Sequence, residues 1–224
     1  MSIPPLKVIL AVTSATALAK LGESSVLVCA ANVAREFARA TGDKSSVSVA
    51  MPGELSDAVV TQLVGAQIDF IPLICDPNNP IELAAALAPE RSLFELVAVH
   101  DSNRPLTRLA QFHRTLEALL TEVDAVRASS AFTETLKSVS KAELIEYTID
   151  RTSIRRISTP EIYRMSAIDF KLQDPKKSTG WFLPLTKSAR IGYVDSDPES
   201  IRVNSEDELS LLESFLHWQQ TVAR

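Results

Sequence analysis

The sequence predicts an α/β domain built on a doubly wound, mostly parallel sheet, and three observations carry that prediction. Continuous apolar runs, Ser25-Val26-Leu27-Val28-Cys29-Ala30 and Leu93 to Val99, read as strands buried on both faces, the mark of a sheet covered by helices. Strand-like and helix-like segments alternate from residue 25 to residue 120. The 224 residues suffice for one sizeable domain, taken as residues 1–224. In such a sheet ligands bind beyond the carboxyl ends of the strands.

Taken in order, residues 6–21 read as a helix with Leu6, Ile9, Leu10, Thr13, Ala17 and Leu21 along one side, closed by Gly22. The strand 25–30 follows, then a helix capped by Asn32 and ended by Gly42, then a strand on the alternating Val47, Val49 and Met51. A helix from a Ser56 cap to Gly65 leads to a strand 68–74, short or at an edge because Pro72 has no amide to donate. The loop 76–80 introduces a helix through Leu87, and strand 93–99 comes next. After Pro105 a helix carries Leu109, Phe112, Leu116, Leu119 and Leu120.

From residue 124 the pattern turns β-rich: 124–131, then 133–139 and 145–149 joined by a Ser-Lys-Ala turn. The last two form a hairpin arm within 130–152 that can stand away from the sheet and make a dimer contact. Thr159 caps and Pro160 starts a helix through Phe170, and 174–180 is a loop by composition. Residues 191–194 and 201–203 read as strands. Ser205-Glu206-Asp207-Glu208 is a capping box that opens the last helix.

A formal net charge of −5 excludes a general nucleic-acid surface, which needs an extended positive face. Cys29 and Cys75 sit in apolar runs as reduced, hydrophobic thiols, and no disulfide framework or zinc spacing is present. The apolar run after Lys7 mimics a short secretory signal, but Pro4-Pro5 precede it and Thr13, Ser14 and Thr16 interrupt it. No stretch approaches membrane length, so a cytoplasmic chain without membrane contact is expected.

Two stretches carry the chemistry. His100-Asp101-Ser102-Asn103-Arg104-Pro105 ends a buried strand in an acid that could hold a divalent cation, followed by an arginine that could fork onto a phosphate. The bland alternative is a turn with Asp101 as a cap and Arg104 solvated. Residues 150–160 hold Arg151, Arg155 and Arg156, the most basic segment of an acidic chain, which suits a small anionic ligand or else a solvated face.

These signals fall in one order with Glu134-Thr135-Leu136-Lys137, Ile149-Asp150-Arg151, Thr159-Pro160-Glu161 and Ser200-Ile201-Arg202-Val203. The series resembles the 2-C-methyl-D-erythritol 4-phosphate cytidylyltransferases of isoprenoid precursor synthesis over roughly residues 90–220. The resemblance implies a nucleotidyltransferase-type (Rossmann-like) sheet with a β-arm that hooks onto a second subunit. It also implies an acceptor pocket of Asp101, Arg104 and Thr159, with Thr135 and Arg151 from the partner's arm, Thr179 from a Thr-Asp motif, and Arg202 in place of a lysine. Asp101 and Arg202 would be catalytic, with Mg²⁺ on Asp101.

The nucleotide half departs from the family pattern. Members open with a strand and a Gly-rich loop with Arg and Lys for the triphosphate of CTP, and here no glycine precedes Gly22, so strand, loop and basic residues are expected to be missing. The Gly-Gly, Arg and Ser element is replaced by Asp76-Pro77-Asn78-Asn79-Pro80-Ile81-Glu82, the Thr-Asp by Thr179-Gly180, and the Gln by Glu161. The resemblance therefore implies a catalytically impaired relative, a pseudoenzyme that binds an anionic small molecule or regulates, as a homodimer or paired with an active paralogue. The alternatives are an active cytidylyltransferase with Mg²⁺ and a structural α/β interaction protein.

Overall fold

A computed structural model describes residues 3–42, 47–177 and 180–222. The strands are β1 (Leu6–Ala11), β2 (Lys20–Leu21), β3 (Ser24–Ser25), β4 (Val47–Met51), β5 (Ile71–Ile74), β6 (Leu96–Asp101), β7 (Ala125–Ala131), β8 (Lys137–Val139), β9 (Ile145–Thr148), β10 (Arg155–Arg164) and β11 (Ile191–Asp195). The α-helices are α1 (Val26–Ala40), α2 (Ser56–Gly65), α3 (Pro80–Leu87), α4 (Leu109–Leu119) and α5 (Glu206–Val222).

Seven strands form one sheet in the order β11-β7-β10-β6-β1-β4-β5. All neighbours are parallel except where β10 runs antiparallel to both β6 and β7. The expected doubly wound, mostly parallel architecture is therefore what the chain adopts. From β1 the chain steps out to β4 and β5, then returns to the other side of β1 as β6. The carboxyl ends of β1 and β6 thus flank the point where the winding reverses, the place where such sheets leave a crevice.

Alternation along β1 shows both faces covered. Leu6 and Val8 pack with Phe37 of α1 and Phe112 of α4, and Leu10 with α1 and α2. Ile9 and Ala11 face the opposite cluster of Leu83, Leu87, Tyr163 and Phe182. Phe37 and Phe112 tie α1 to α4 with ring centroids 5.0 Å apart.

Four expectations are corrected. Residues 6–21 are not a helix: Leu6–Ala11 is an interior strand between β6 and β4, buried at every position, and only Ala15–Leu18 forms a 3-10 turn. A short unbroken apolar run satisfies either period, and length decides for the strand. The strand expected at 25–30 is instead the start of α1, whose Ser25 Oγ accepts from Val28 N at 3.2 Å as an N-cap. Only one side of α1 is buried, Val26, Leu27, Ala30, Ala31, Ala34, Phe37 and Ala38, which is helical spacing.

The helix expected at 159–170 is strand β10 followed by a 3-10 turn at Met165–Ala167. Pro160 sits where the β10 ladder to β7 shifts register between Ser158 and Glu161, a place where a missing amide does no harm. Residues 201–203 form no strand: they carry no regular secondary structure and, among the described residues, pair with no strand. They lead to α5, where Ser205 Oγ accepts from Glu208 N at 3.2 Å while Glu208 Oε2 reaches Asn204 N at 2.6 Å, one residue earlier than in a regular capping box.

Several expectations hold closely. Helix α2 has the expected bounds, β5 is short and lies at the sheet edge, and β8 pairs antiparallel with β9 as the hairpin arm. The arm exposes Val139, Leu144, Ile145 and Tyr147, each more than half accessible. Among the described residues no helix is long and apolar enough to cross a membrane.

Candidate functional site at the carboxyl ends of β1 and β6

The strand-end group assembles around Asp101, the last residue of β6, which is fully buried. Its register partner on β1 is Ala11, so the residues that follow each strand emerge side by side. Thr13 Oγ1 donates to Asp101 Oδ1 at 2.9 Å, and the Asn103 amide donates to the same oxygen at 3.1 Å. Arg202 Nε donates to Oδ2 at 2.7 Å and Arg202 Nη2 to Thr13 Oγ1 at 2.9 Å. Asn103 completes the knot, with Nδ2 donating to Ser14 Oγ at 2.9 Å and to Val203 O at 2.8 Å.

Arg104 lies below this knot, buried, with Nε 3.9 Å from Asp101 Oδ2. Its Nη1 donates to Ser200 O at 2.6 Å and its Nη2 to Ile157 O at 3.2 Å, so the guanidinium braces two backbone segments. Burial, with help from Arg202 and Arg156, lowers its pKa to about 10, which leaves it charged at neutral pH. His100 is held neutral by burial, its pKa lowered to about 4, and its Nδ1 lies 2.9 Å from Thr159 Oγ1. The same Thr159 oxygen accepts from the Asp101 amide at 3.2 Å.

A buried polar layer carries the segment that bears Arg202. Gln111 of α4 donates through Nε2 to Thr159 O at 2.6 Å and to Ser200 Oγ at 3.2 Å. Ser200 Oγ also lies 2.8 Å from Thr107 Oγ1 and 2.9 Å from Ser158 Oγ. On the far side of β10, Glu161 is fully buried between Arg127 Nε, 2.8 Å away, the Tyr163 hydroxyl, which donates to it, and the Phe182 amide. Burial raises its pKa to about 7, with Arg127 opposing.

The structure brings together four of the expected site residues, Asp101, Arg104, Thr159 and Arg202. It does not bring Thr135 or Arg151 to them: both are exposed on or beside the arm, and Arg151 Nη1 donates to Thr133 O. Thr179 lies outside the described residues. Next to it, a Cβ at Gly180 would fall 1.6 Å from Leu183 O, so the aspartate of the family pattern would require that backbone to move. Thr13, Asn103 and Gln111 were not singled out from sequence. The one available signal was the break from apolar to polar at Thr13, which marks the end of β1.

A divalent cation does not fit this arrangement. Such an ion takes several oxygen ligands. Asp101 is the single carboxylate here, and its two oxygens already face a hydroxyl, an amide and a guanidinium. Among the described residues no group of three or more His, Cys, Asp or Glu side chains could hold a metal.

The crevice beside the knot is a cavity of about 610 Å³ walled by the loops after β1, β4 and β5. Its charged lining is Glu54, Asp76 and Glu82, with no Lys or Arg. The first strand is therefore present after all, and the connection from β1 to α1, residues 12–25, stands where a phosphate loop would lie. It holds one glycine, Gly22, and one basic residue, Lys20, which is exposed.

Comparison with known proteins bears on this geometry. The family described as 2-C-methyl-D-erythritol 4-phosphate cytidylyltransferase matches residues 78–184. A cytidylyltransferase of that name from Geobacillus thermodenitrificans is 28% identical over 131 residues, 54% of this chain and 55% of the relative. One from Parasynechococcus marenigrum is 26% identical over 70% of this chain and 78% of the relative. The chain thus spans about half the length of the curated relatives it matches first. The solved 4-diphosphocytidyl-2C-methyl-D-erythritol synthase of Anaerococcus prevotii has the same fold, with TM-score 0.72 and 16% identity over 95% of this chain and 96% of its own. The Thermus thermophilus cytidylyltransferase follows at TM-score 0.66 and 17% identity, covering 94% and 98%. The matched segment contains Asp101, Arg104, the arm and Thr159, so residues 78–184 are similar to the 2-C-methyl-D-erythritol 4-phosphate cytidylyltransferase family, on a sheet of the same fold as its solved structures.

Proposed function

We propose that this chain acts in isoprenoid precursor synthesis as a cytidylyltransferase, joining the CMP unit of CTP to methylerythritol phosphate. Kinship supports the reading, since the relatives above carry that activity in their names. The observation that carries it is the convergence of Asp101, Arg104, Thr159 and Arg202 at the reversal of the sheet. In the reaction a phosphate oxygen of the acceptor attacks the α-phosphorus of CTP, the bond to the β-phosphate breaks and pyrophosphate leaves. Catalysis of such transfers is mostly positioning and charge stabilisation. Arg202, partly exposed above Asp101, is the cation placed to meet the acceptor phosphate, and Thr135 and Arg151 would come from the arm of a second copy.

A second reading is favoured by the acidic crevice. A triphosphate placed against Glu54, Asp76 and Glu82, without a Gly-rich loop, meets like charge where it needs donors. On that reading the chain binds a phosphate ester and regulates, as a homodimer or beside an active paralogue. Titration calorimetry with CTP and Mg²⁺, and separately with methylerythritol phosphate, separates the two. Saturable CTP binding with pyrophosphate release when both are present establishes the transferase. Binding of the phosphate ester alone establishes the second reading, and binding of neither ligand overturns both.

A further inference from the structure

We propose that the cavity at the amino end of β6 is a second ligand site, which takes an organic anion with an aromatic or other bulky apolar body. The proposal goes beyond the transferase reading and does not rest on it.

Position is the first observation. Leu96 opens β6 and pairs in register with Arg164, which closes the antiparallel β10, so the two strands part here, at the end of the sheet opposite Asp101. The segment before β6 and the turn after β10 enclose a cavity of about 680 Å³. Small-molecule sites commonly measure about 300–1,000 Å³ and combine apolar lining with a few placed polar groups. The lining segments are anchored: Met165 N donates to Glu95 O at 2.8 Å, Asp169 N donates to Pro184 O at 2.9 Å, and Ile168 bridges to Leu185.

Charge is the second. Arg91 and Arg164 line the cavity against the single carboxylate of Glu95, two positive charges to one negative, whereas the crevice beside Asp101 has only acids as its charged lining. The neighbouring Glu90 is already paired with Lys7 at 2.7 Å. Arg164 is held in place, its Nε donating to Val123 O and its Nη2 to Leu119 O, both at 3.1 Å, and its Nη1 has no partner among the described residues. Arg91 is exposed, and its side chain likewise pairs with no described residue. An anionic oxygen accepting from these donors makes charge-assisted bonds. The third observation is the apolar surface beside them: Met165 and Ile168 are buried in the core cluster, and half-buried Phe94 and Phe170 pack against it. Lys7 Nζ lies 5.3 Å from the Phe94 ring centroid and steadies that ring. Cations beside apolar surface favour an anion with a hydrophobic body over an inorganic ion, which meets only the charges.

The test is calorimetric titration of the full chain with naphthoate and with its neutral counterpart, naphthalenemethanol. Naphthoate is expected to saturate a single site per chain, and the neutral alcohol to bind at least about tenfold more weakly. Arg91→Glu, at an exposed position without side-chain partners, should weaken naphthoate about tenfold or more, and Arg91→Lys should keep part of the affinity. Ser166→Trp, also at an exposed position, places a ring in the cavity and should abolish binding. Methylerythritol phosphate should not displace the probe, because the strand-end site lies at the other end of β6. Absence of saturable naphthoate binding, equal affinity for the acid and the alcohol, indifference to Arg91→Glu or to Ser166→Trp, or displacement by methylerythritol phosphate would each overturn the proposal. No readout involves CTP or turnover, so the outcome is independent of the transferase reading.

Discussion

Arg202 and Asp101 stand 101 residues apart in the chain and meet at 2.7 Å between Nε and Oδ2. The pair joins the segment before α5 to the end of β6. Removing the negative partner leaves the guanidinium, the Thr13 hydroxyl and the Asn103 amide facing a neutral group. Asp101→Asn is expected to destabilise the protein by about 2–4 kcal/mol, since one half of a buried pair is lost. Urea unfolding of this variant, of Arg202→Gln and of the double variant should give a coupling of at least about 1 kcal/mol. Additive effects would show that the pair is not an interaction in solution.

Gln111 predicts a different loss. Its side chain amide is buried and donates to Thr159 O and Ser200 Oγ, while its Oε1 accepts from the Asp197 amide. Gln111→Leu strands those groups and should cost about 2–4 kcal/mol in urea unfolding. Because the same amide braces residues 197–200 below Arg202, the variant should also weaken phosphate binding more than its melting temperature alone explains.

The pH profile follows from two buried groups of opposite sign. Glu161 has its folded pKa raised from 4.5 to about 7, so the folded state holds the proton more tightly than the unfolded state. Its contribution, about 3 kcal/mol, is complete below pH 4.5 and is lost as pH rises through 7. His100 has its pKa lowered from 6.5 to about 4, so its contribution is present above 6.5 and is lost as pH falls through 4. Between pH 4.5 and 6.5 the two slopes oppose and largely offset each other. Glu161→Gln removes one of them, and its stability should then fall steadily from pH 6.5 toward 4. A variant with the flat wild-type profile would refute the assignment.

The arm predicts an assembly. Val139, Leu144, Ile145 and Tyr147 are apolar and more than half exposed on a two-stranded ladder that, among the described residues, pairs with no strand of the main sheet. Isolated hairpins of this kind gain stability by packing. The chain is expected to sediment as a dimer, and deletion of residues 133–150 should yield a monomer. An unchanged mass on deletion would remove the arm from the interface.

Legibility in the sequence followed the number of independent local signals. Helix α2 was legible because a serine start, helical spacing and a closing Gly65 agree. Helix α1 was not, because Val26-Leu27-Val28-Cys29 carries strand-like residues and its cap, Ser25, was absorbed into the supposed strand. β10 was hidden because Thr-Pro is the same signal at a helix start as at a ladder break. In the site, Asp101 and Arg104 were legible from their place after a buried strand. Arg104 was assigned to a phosphate, however, and the structure gives it to Ser200 O and Ile157 O. Thr13 and Gln111 are ordinary polar residues whose meaning comes only from partners 88 and 48 residues away.

The interior position of β1, between β6 and β4, has a kinetic consequence. β1 pairs on one side with β6, some 90 residues later, and the knot above it closes only when Arg202 arrives. High contact order of this kind slows folding, because loop-closure entropy must be met before the contacts form. On the ribosome the pair of Arg202 and Asp101 cannot form until residue 202 has emerged. Closure of that pair therefore follows the pairing of β1 with β6, which it ties to the segment before α5.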